Sequence, residues 1–143
     1  MKKKIYKIVI DTNVFITSLK SNMGASYKLL FEVSKKKYEQ NISPALLFEY
    51  ESVAKRGSLN LVLTDLQIDS ILDMICNWST KCQIFFLWRP FLKDPKDDFV
   101  LELAIESASE FIITYNIKDF KGIEKFGIKA ITPKDFLKLI GEI

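Results

Sequence analysis

Polar and apolar residues along this chain form two kinds of pattern, continuous apolar runs and longer stretches with helical periodicity. The clearest apolar run covers residues 4–10 and ends abruptly in Asp11, after which Thr12 and Asn13 lead into a second apolar run at 14–16. A continuous apolar run suits a central strand of a parallel sheet that is buried on both faces. Ligands of such sheets bind beyond the carboxyl ends of the strands, where Asp11 would lie. Capping of the following helix by Asp11 or Asn13 explains the same residues, so both interpretations remain open.

Helical periodicity and capping residues alternate with further apolar runs through the rest of the chain. Ser43-Pro44 and Thr132-Pro133 are helix-start signals, and Thr64-Asp65-Leu66-Gln67 is a capping box. The patterns predict strands near 4–10, 38–42, 82–88, 110–114 and 130–131, and helices near 14–19, 24–37, 43–55, 64–78, 94–108 and 132–140. Strands that alternate with helices predict a parallel sheet covered on both faces, and 143 residues fit a single domain over 1–143.

The composition excludes several kinds of chemistry. The chain has no histidine, which rules out Ser-His and Cys-His nucleophiles, histidine bases and histidine metal ligands. Cys76 and Cys82 match no zinc or redox spacing and suit reduced thiols in a cytoplasmic protein. No apolar run approaches membrane-spanning length and no secretory leader is recognisable, so we expect no membrane association. Any catalysis must therefore rest on carboxylates, lysines or a bound cofactor.

Carboxylates and amides cluster near the predicted strand ends and helix starts. In the helix predicted from residue 94, Asp97 shares the apolar stripe, whereas Asp98 leans toward solvent and Glu102 lies on the opposite side. A carboxylate on a buried stripe is costly unless a charged or hydrogen-bonding group compensates it, and bound metal is one such group. A capping box with Asp94 as N-cap and Asp97 in the first turn is the alternative interpretation. The candidates near strand ends and helix starts are Asp11, Glu49, Glu51, Asp94, Asp97, Asp98, Asn116 and Asp119.

Two of these acids cannot be separated by periodicity. Glu49 and Glu51 flank the apolar stripe of their helix on opposite sides, and Glu49 is only somewhat nearer the helix start.

Clustered oxygens without histidine or thiolate suit hard cations such as Mg²⁺ or Mn²⁺. Two such ions held about 3.5–4 Å apart support phosphodiester cleavage.

The lysines are grouped although the net charge of +3 is modest. They form sets at 2–4, at 35–37, and at Lys118, Lys121, Lys125 and Lys129. A positive face attracts phosphate backbones without regard to sequence, whereas the plain alternative is a solvated surface.

Four motifs in order resemble those of the PIN domain family. They are the strand followed by Asp11-Thr12-Asn13-Val14; Ser43-Pro44 with Glu49; Asp94-Pro95-Lys96-Asp97-Asp98 with Leu101 and Ala104; and Ile113-Thr114-Tyr115-Asn116-Ile117-Lys118-Asp119-Phe120. The resemblance spans nearly the whole chain and is strongest to the toxins of bacterial and archaeal toxin–antitoxin pairs, the relatives of VapC. It implies a PIN-like α/β/α sandwich with a central parallel sheet.

The resemblance also implies an acidic site and an activity. Asp11, Glu49, Asp97 and Asp119 would ligate Mg²⁺ or Mn²⁺, and a metal-activated water would cleave RNA. A cognate antitoxin would inhibit the enzyme, and a homodimer, common in the family, is expected. The residues expected to orient ligands or substrate are Thr12, Asn13, Asp94, Asp98, Thr114 and Asn116. Asn116 departs from the family pattern, because many relatives have Asp there, and leaves less negative charge for a second metal.

Two other functions fit parts of the sequence. A phosphatase of the haloacid dehalogenase type also begins with a strand that ends in Asp, but it needs a second acid two residues on, where this chain has Asn13. A PIN-like scaffold that binds RNA or a protein without cleaving is the non-enzymatic alternative. Metal binding by the intact protein would distinguish it from a nuclease.

Overall fold

Five parallel strands form one sheet in the computed structural model, which describes residues 4–84 and 91–143. The strand order is β3-β2-β1-β4-β5. The strands are β1 (Tyr6–Ile10), β2 (Tyr38–Ile42), β3 (Thr80–Lys81), β4 (Phe111–Ile113) and β5 (Lys129–Ile131). The chain thus builds outward from β1 to one edge, crosses back over β1 to β4, and ends at the other edge.

The first strand lies at the centre of this sheet and is buried on both faces. Ile8, Val9 and Ile10 have no exposed surface. Ile10 is in register with Ile113 of β4, so that the residues after these two strands lie side by side. Because the strand order reverses at β1, its carboxyl end lies at the switch point where open α/β sheets bind ligands.

Six helices cover the sheet in the described part of the chain. They are α1 (Thr12–Lys20), α2 (Ala25–Phe31), α3 (Pro44–Ala54), α4 (Asp65–Trp78), α5 (Pro95–Glu106) and α6 (Pro133–Leu139). Helix α5 packs against β1 and β4, whereas α1 packs against α2 and α3, and α2 against α6. With β1 buried from both sides, this is the predicted α/β/α sandwich. None of these helices combines the length and apolar character that a membrane span requires.

The predicted helix starts are confirmed by their hydrogen bonds. The Ser43 and Thr132 hydroxyls accept from backbone N–H groups three residues on, at 3.2 Å each. Thr64 and Gln67 form the reciprocal bonds of the capping box. These side chains satisfy N–H groups that have no partner within the helix, and they fix where α3, α4 and α6 begin.

An aromatic cluster holds the last helix on the sheet. Phe136 of α6 is fully buried, and its ring meets those of Tyr6, Tyr38 and Phe111 edge-on at centroid distances of 6.2, 5.8 and 5.8 Å. These three rings come from β1, β2 and β4, so one side chain of α6 contacts three strands.

Several predicted boundaries differ from the structure. The predicted strand over 82–88 is wrong in its described part, because β3 covers Thr80–Lys81 and residues 82–84 have no regular structure. Residues 85–88 of that prediction lie outside the described residues. The Cys82 N–H still donates to the Ile42 carbonyl at 2.8 Å, which extends the ladder by one bond. The helix predicted to reach 37 ends at Phe31, since a short 3₁₀ turn and the left-handed backbone of Lys36 (φ 56°) redirect the chain.

The helical wheel was wrong about two acids of α5. Asp98 is 1% exposed and Glu102 is 2% exposed, although the periodicity placed both away from the core. Helix α5 is enclosed on more than one side, because it lies on β1 and β4 and also contacts α3. The Asp98 Oδ1 accepts a hydrogen bond from the Leu92 N–H at 2.9 Å, which compensates part of the cost of its burial.

Candidate active site

Asp11 both caps a helix and ends the central strand. Its Oδ1 accepts from the Thr12 N–H at 2.8 Å at the start of α1, so the capping interpretation is correct. Its Oδ2 accepts from the Thr114 hydroxyl, also at 2.8 Å, across the carboxyl ends of β1 and β4. The side chain is 7% exposed. Capping and a place at the ligand-binding edge are therefore compatible in one residue.

The Thr114 hydroxyl organises the neighbouring polar groups. Besides donating to Asp11, its oxygen accepts from the Asn13 amide at 3.3 Å and from the Asn116 N–H at 3.0 Å. The Asn13 oxygen accepts in turn from the Tyr115 N–H at 3.4 Å. Thr114 has no exposed surface, so this network fixes the loop after β4 against the start of α1.

Two carboxyls near the end of β1, those of Asp11 and Asp97, have raised pKa values. Burial raises the pKa of Asp11 to about 6; the bonds from Thr114 and Thr12 lower it, and the charges of Glu49 and Asp119 raise it further. The pKa of Asp97 is raised to about 7. Burial is the largest cause, and the charges of Asp11, Asp94, Asp119 and Glu49 raise the pKa further. We call Asp11, Glu49, Asp97 and Asp119 the acidic site, because Asp11 and Asp97 have the raised pKa values and the charges of Glu49 and Asp119 contribute to both shifts.

No lysine or arginine among the described residues forms an ion pair with the acidic site. Elsewhere in the described part of the chain, lysines pair with the carboxylates of Glu32, Glu39, Glu51, Asp69, Glu110 and Glu142. The four acids nevertheless do not close on one point, because no three acidic or thiol side chains within 4–84 and 91–143 are arranged to hold a metal ion. Among the described residues, the acidic site is thus a set of repelling carboxylates with which no lysine or arginine forms an ion pair.

Glu49 and Glu51 have different surroundings. The charge of Glu49 raises the pKa values of Asp11 and Asp97. Glu51 instead pairs with Lys55 at 3.2 Å, and Lys55 also pairs with Asp69 of α4 at 2.7 Å. Glu51 therefore has a structural partner of its own, which Glu49 lacks among the described residues.

A model of the PIN domain matches residues 7–118 of this chain. The chain belongs to the PIN domain family. The resemblance read from the sequence is thereby confirmed, and the acidic site lies at the carboxyl edge of a PIN domain sheet.

The chain is also similar to an archaeal protein and to a chain of a bacterial crystal structure. An uncharacterized protein of Methanocaldococcus jannaschii is 28% identical over 153 aligned positions, which cover 96% of this chain and 94% of that protein. A chain of the crystal structure of VapBC2 from Rickettsia felis, bound to a DNA fragment from their promoter, superposes with a TM-score of 0.59. That chain is 18% identical, and the match covers 87% of the PIN domain protein described here and 96% of the Rickettsia chain. At this identity the likeness is one of fold.

The remaining predicted site residues lie around the acidic site in different ways. Asp119 is exposed and lies in a 3₁₀ turn (Ile117–Phe120) whose N-cap is Asn116. Asp94 precedes α5, and its carbonyl accepts from the Asp97 N–H at 3.0 Å. The Thr12 hydroxyl is buried and has no hydrogen-bond partner among the described residues. The Asp98 carboxylate accepts a hydrogen bond from the Leu92 N–H.

Sequence reasoning missed the part that Tyr50 has in the site. The periodicity placed Tyr50 in the core stripe of α3, and it is indeed fully buried and stacked on Phe15 at 4.5 Å. Its hydroxyl also donates to the carbonyl of Ile10, the residue before Asp11. Burial raises its pKa well above the usual value, and the charges of Asp11 and Glu49 raise it further, so the phenol stays protonated and remains a donor. The only sequence signal for this role is that Tyr50 directly follows Glu49.

We expect Asp97→Asn to stabilise the metal-free protein at about pH 8. The substitution removes a charge that four acids repel, for a gain of up to about 1 kcal/mol, the range for charges partly open to water. Asp97 titrates near 3.8 when unfolded and near 7 when folded, so the native state holds the extra proton between these values. The wild type therefore loses stability as the pH rises through this window. The advantage of Asn should be small near pH 4 and full above pH 7.

Urea unfolding across this pH range measures the effect. Asp73→Asn is the control, because Asp73 is an exposed acid on α4 and its substitution changes the net charge equally. A loss of up to about 1 kcal/mol at every pH would instead make Asp97 a capping residue.

Proposed function

We propose that this PIN domain protein is a metal-dependent RNA endonuclease that uses Mg²⁺ or Mn²⁺ and acts as the toxin of a toxin–antitoxin pair. The observation that carries the proposal is the acidic site, four repelling carboxylates at the switch point of the sheet that form no ion pair with a lysine or arginine in the described part of the chain. Raising the pKa of buried carboxyls costs stability, and such costs concentrate where a ligand compensates them.

The chemistry of the donors fits a hard divalent cation. The acidic site offers carboxylate oxygens only, and the chain has no histidine. Asp11, Glu49, Asp97 and Asp119 would hold the ion. When bound, such an ion supplies Lewis-acid polarisation of a phosphodiester oxygen and lowers the pKa of water.

The chain's own residues have separate parts in this proposal. Thr114 and the Thr12 N–H hold the two Asp11 oxygens in fixed directions, which leaves the remaining lone pairs to the ligand. Tyr50 fixes the backbone at Ile10 directly before Asp11. Asn13 and Asn116 carry amides that can orient a phosphate or a sugar hydroxyl, and neither adds charge to the site.

Two exposed lysines support a polyanionic substrate. Lys118 and Lys121 lie in and after the 3₁₀ turn that carries Asp119, and neither pairs with an acid of the described residues. The lysines at 35–37 support it less, because Lys35 pairs with Glu32 and Lys37 with Glu142. Positive charge beside the acidic site would offset the repulsion between RNA phosphates and carboxylates.

The partner and the location follow from the proposed toxin role. The Rickettsia felis VapBC2 structure has the same fold, which supports a cognate antitoxin as the partner of this chain. A homodimer and a cytoplasmic location belong to the same proposal. A PIN-like module that binds RNA or protein without cleaving is the second candidate, favoured by the open arrangement of the four acids among the described residues and by the neutral Asn116.

A matched pair of substitutions on α3 tests the nuclease. We expect Glu49→Gln to reduce metal-dependent RNA cleavage at least roughly tenfold, since removing even an outer partner of a metal ligand costs about 10- to 100-fold. Glu51→Gln should leave cleavage nearly unchanged, because Glu51 is occupied by Lys55. Cleavage of a labelled RNA with Mn²⁺, Mg²⁺ or EDTA measures both. The opposite order of effects would show that the wrong glutamate was assigned.

The same proteins separate a nuclease from a binding module. Mg²⁺ or Mn²⁺ should raise the urea midpoint of the wild type, because a ligand that binds only the folded state stabilises it by mass action. Glu49→Gln should reduce this gain and Glu51→Gln should not. A wild type that neither cleaves RNA nor gains stability from either ion would favour the binding module.

A further inference from the structure

Tyr115 presents a fixed aromatic ring beside the acidic site. It follows Thr114, whose hydroxyl bonds Asp11, and its own N–H donates to the Asn13 oxygen. The residue is 44% exposed, whereas Thr114 before it is fully buried. The backbone at Tyr115 is thus part of the network that holds Asp11, while its side chain is open to solvent.

The far end of the side chain is also held. The Tyr115 hydroxyl shares a hydrogen bond with the hydroxyl of Ser26, which lies in the first turn of α2 and is 1% exposed. A tyrosine that is anchored at both ends has little rotamer entropy left to lose on binding. Its exposed surface is therefore prepared for contact with a flat apolar partner.

We propose that the Tyr115 ring stacks on an unpaired base of the RNA whose phosphodiester lies at the acidic site; this inference rests on the proposed nuclease function. Bases of single strands stack on aromatic side chains with little regard to sequence, whereas paired bases present no free face. Lys118, three residues on and exposed, is placed to meet a phosphate of the same strand. The ring and this lysine would hold one unpaired base and one phosphate of the same strand next to the acidic site.

Binding of a short single-stranded RNA labelled with fluorescein, measured by anisotropy in EDTA, tests the stacking without cleavage. Tyr115→Leu should weaken binding about thirtyfold, the middle of the range for the loss of one stacked base. Tyr115→Phe and Tyr115→Trp should weaken binding much less than Tyr115→Leu does, because both keep an aromatic ring and lose only the bond to Ser26. Binding of blunt RNA duplex should be the same in all four proteins.

Trp78→Leu is the matched control. Trp78 is 46% exposed, close to the exposure of Tyr115, but it lies at the end of α4 directly before β3, at the amino edge of the sheet. Its loss should leave single-strand binding unchanged. Equal binding by Tyr115→Leu and the wild type would overturn the proposal, and so would an equal effect of Trp78→Leu.

A second measurement needs no variant to fold. A single strand that carries 2-aminopurine should lose fluorescence on binding the wild type if its base stacks on a ring, and unchanged fluorescence at saturation would overturn the proposal.

The nuclease proposal and the stacking proposal can be refuted separately. Stacking through Tyr115 without cleavage in Mg²⁺ or Mn²⁺ would refute the nuclease alone, whereas cleavage that Tyr115→Leu does not alter would refute the stacking alone.

Discussion

Asp11→Asn is expected to abolish metal-dependent RNA cleavage while the protein stays folded. Asp11 is the acid whose two oxygens are already directed by Thr12 and Thr114, so it is the most rigid member of the acidic site. Asn keeps the shape and caps a helix about as well as Asp, so α1 should be preserved. The loss should exceed the roughly 10- to 100-fold that an outer partner of a metal ligand contributes.

Thr114→Val provides the graded comparison for this experiment. Valine keeps the volume of threonine but removes the donor to the Asp11 Oδ2 and the acceptor for Asn13 and Asn116. Cleavage should fall by about 10- to 100-fold, less than in Asp11→Asn. Rates measured with equal amounts of folded protein decide the order. A Thr114→Val protein that is slower than Asp11→Asn would mean that the hydroxyl acts on the RNA itself.

Phe136→Ala should cost about 3–5 kcal/mol of unfolding free energy, the usual range for a buried Phe. The ring is fully buried and contacts three aromatic residues on β1, β2 and β4, so its loss leaves a cavity where α6 meets the sheet. A domain of this size is stable by about 5–15 kcal/mol, so the change removes a large share of the total.

Leu139→Ala on the same helix is the control, because Leu139 is 49% exposed. It should stay within about 0.5 kcal/mol of the wild type. Urea unfolding of the two variants at one pH gives the comparison. A cost below about 1 kcal/mol for Phe136→Ala would show that α6 repacks or is dispensable for the sheet.

Local patterns predicted the parts of this fold that local interactions decide. The apolar run at 4–10 and the capping residues Ser43, Thr64 and Thr132 are signals within a few residues of each other, and the structure contains the elements they predict. Local reasoning also placed Asp11 at a strand end. It could not decide between a cap and a site, because the deciding contact with Thr114 spans 103 positions.

The misassigned acids have a physical cause. A helical wheel assumes one buried side, but α5 contacts the sheet and α3, so that Asp98 and Glu102 are buried as well as Val100 and Leu101. Asp97, assigned to the buried stripe, is less buried than Asp98. The choice of Glu49 over Glu51 came from the family resemblance; its structural correlate is the ion pair of Glu51 with Lys55. The assignment of the acidic site as a metal site stays a prediction.

The wide separation of Asp11 and Thr114 along the chain has a consequence during synthesis. The N-terminal strand leaves the ribosome first, but the neighbour that completes its carboxyl end is β4, near residue 112. Domains fold as units while the chain grows at about 5–20 residues per second, and contacts of such long range form late. An incomplete chain would carry Asp11 without Thr114, Asn116 or Asp119. A truncated translation product would therefore lack the arrangement on which cleavage is proposed to depend. Under this proposal, only chains that have been translated beyond β4 and the turn after it could cleave RNA.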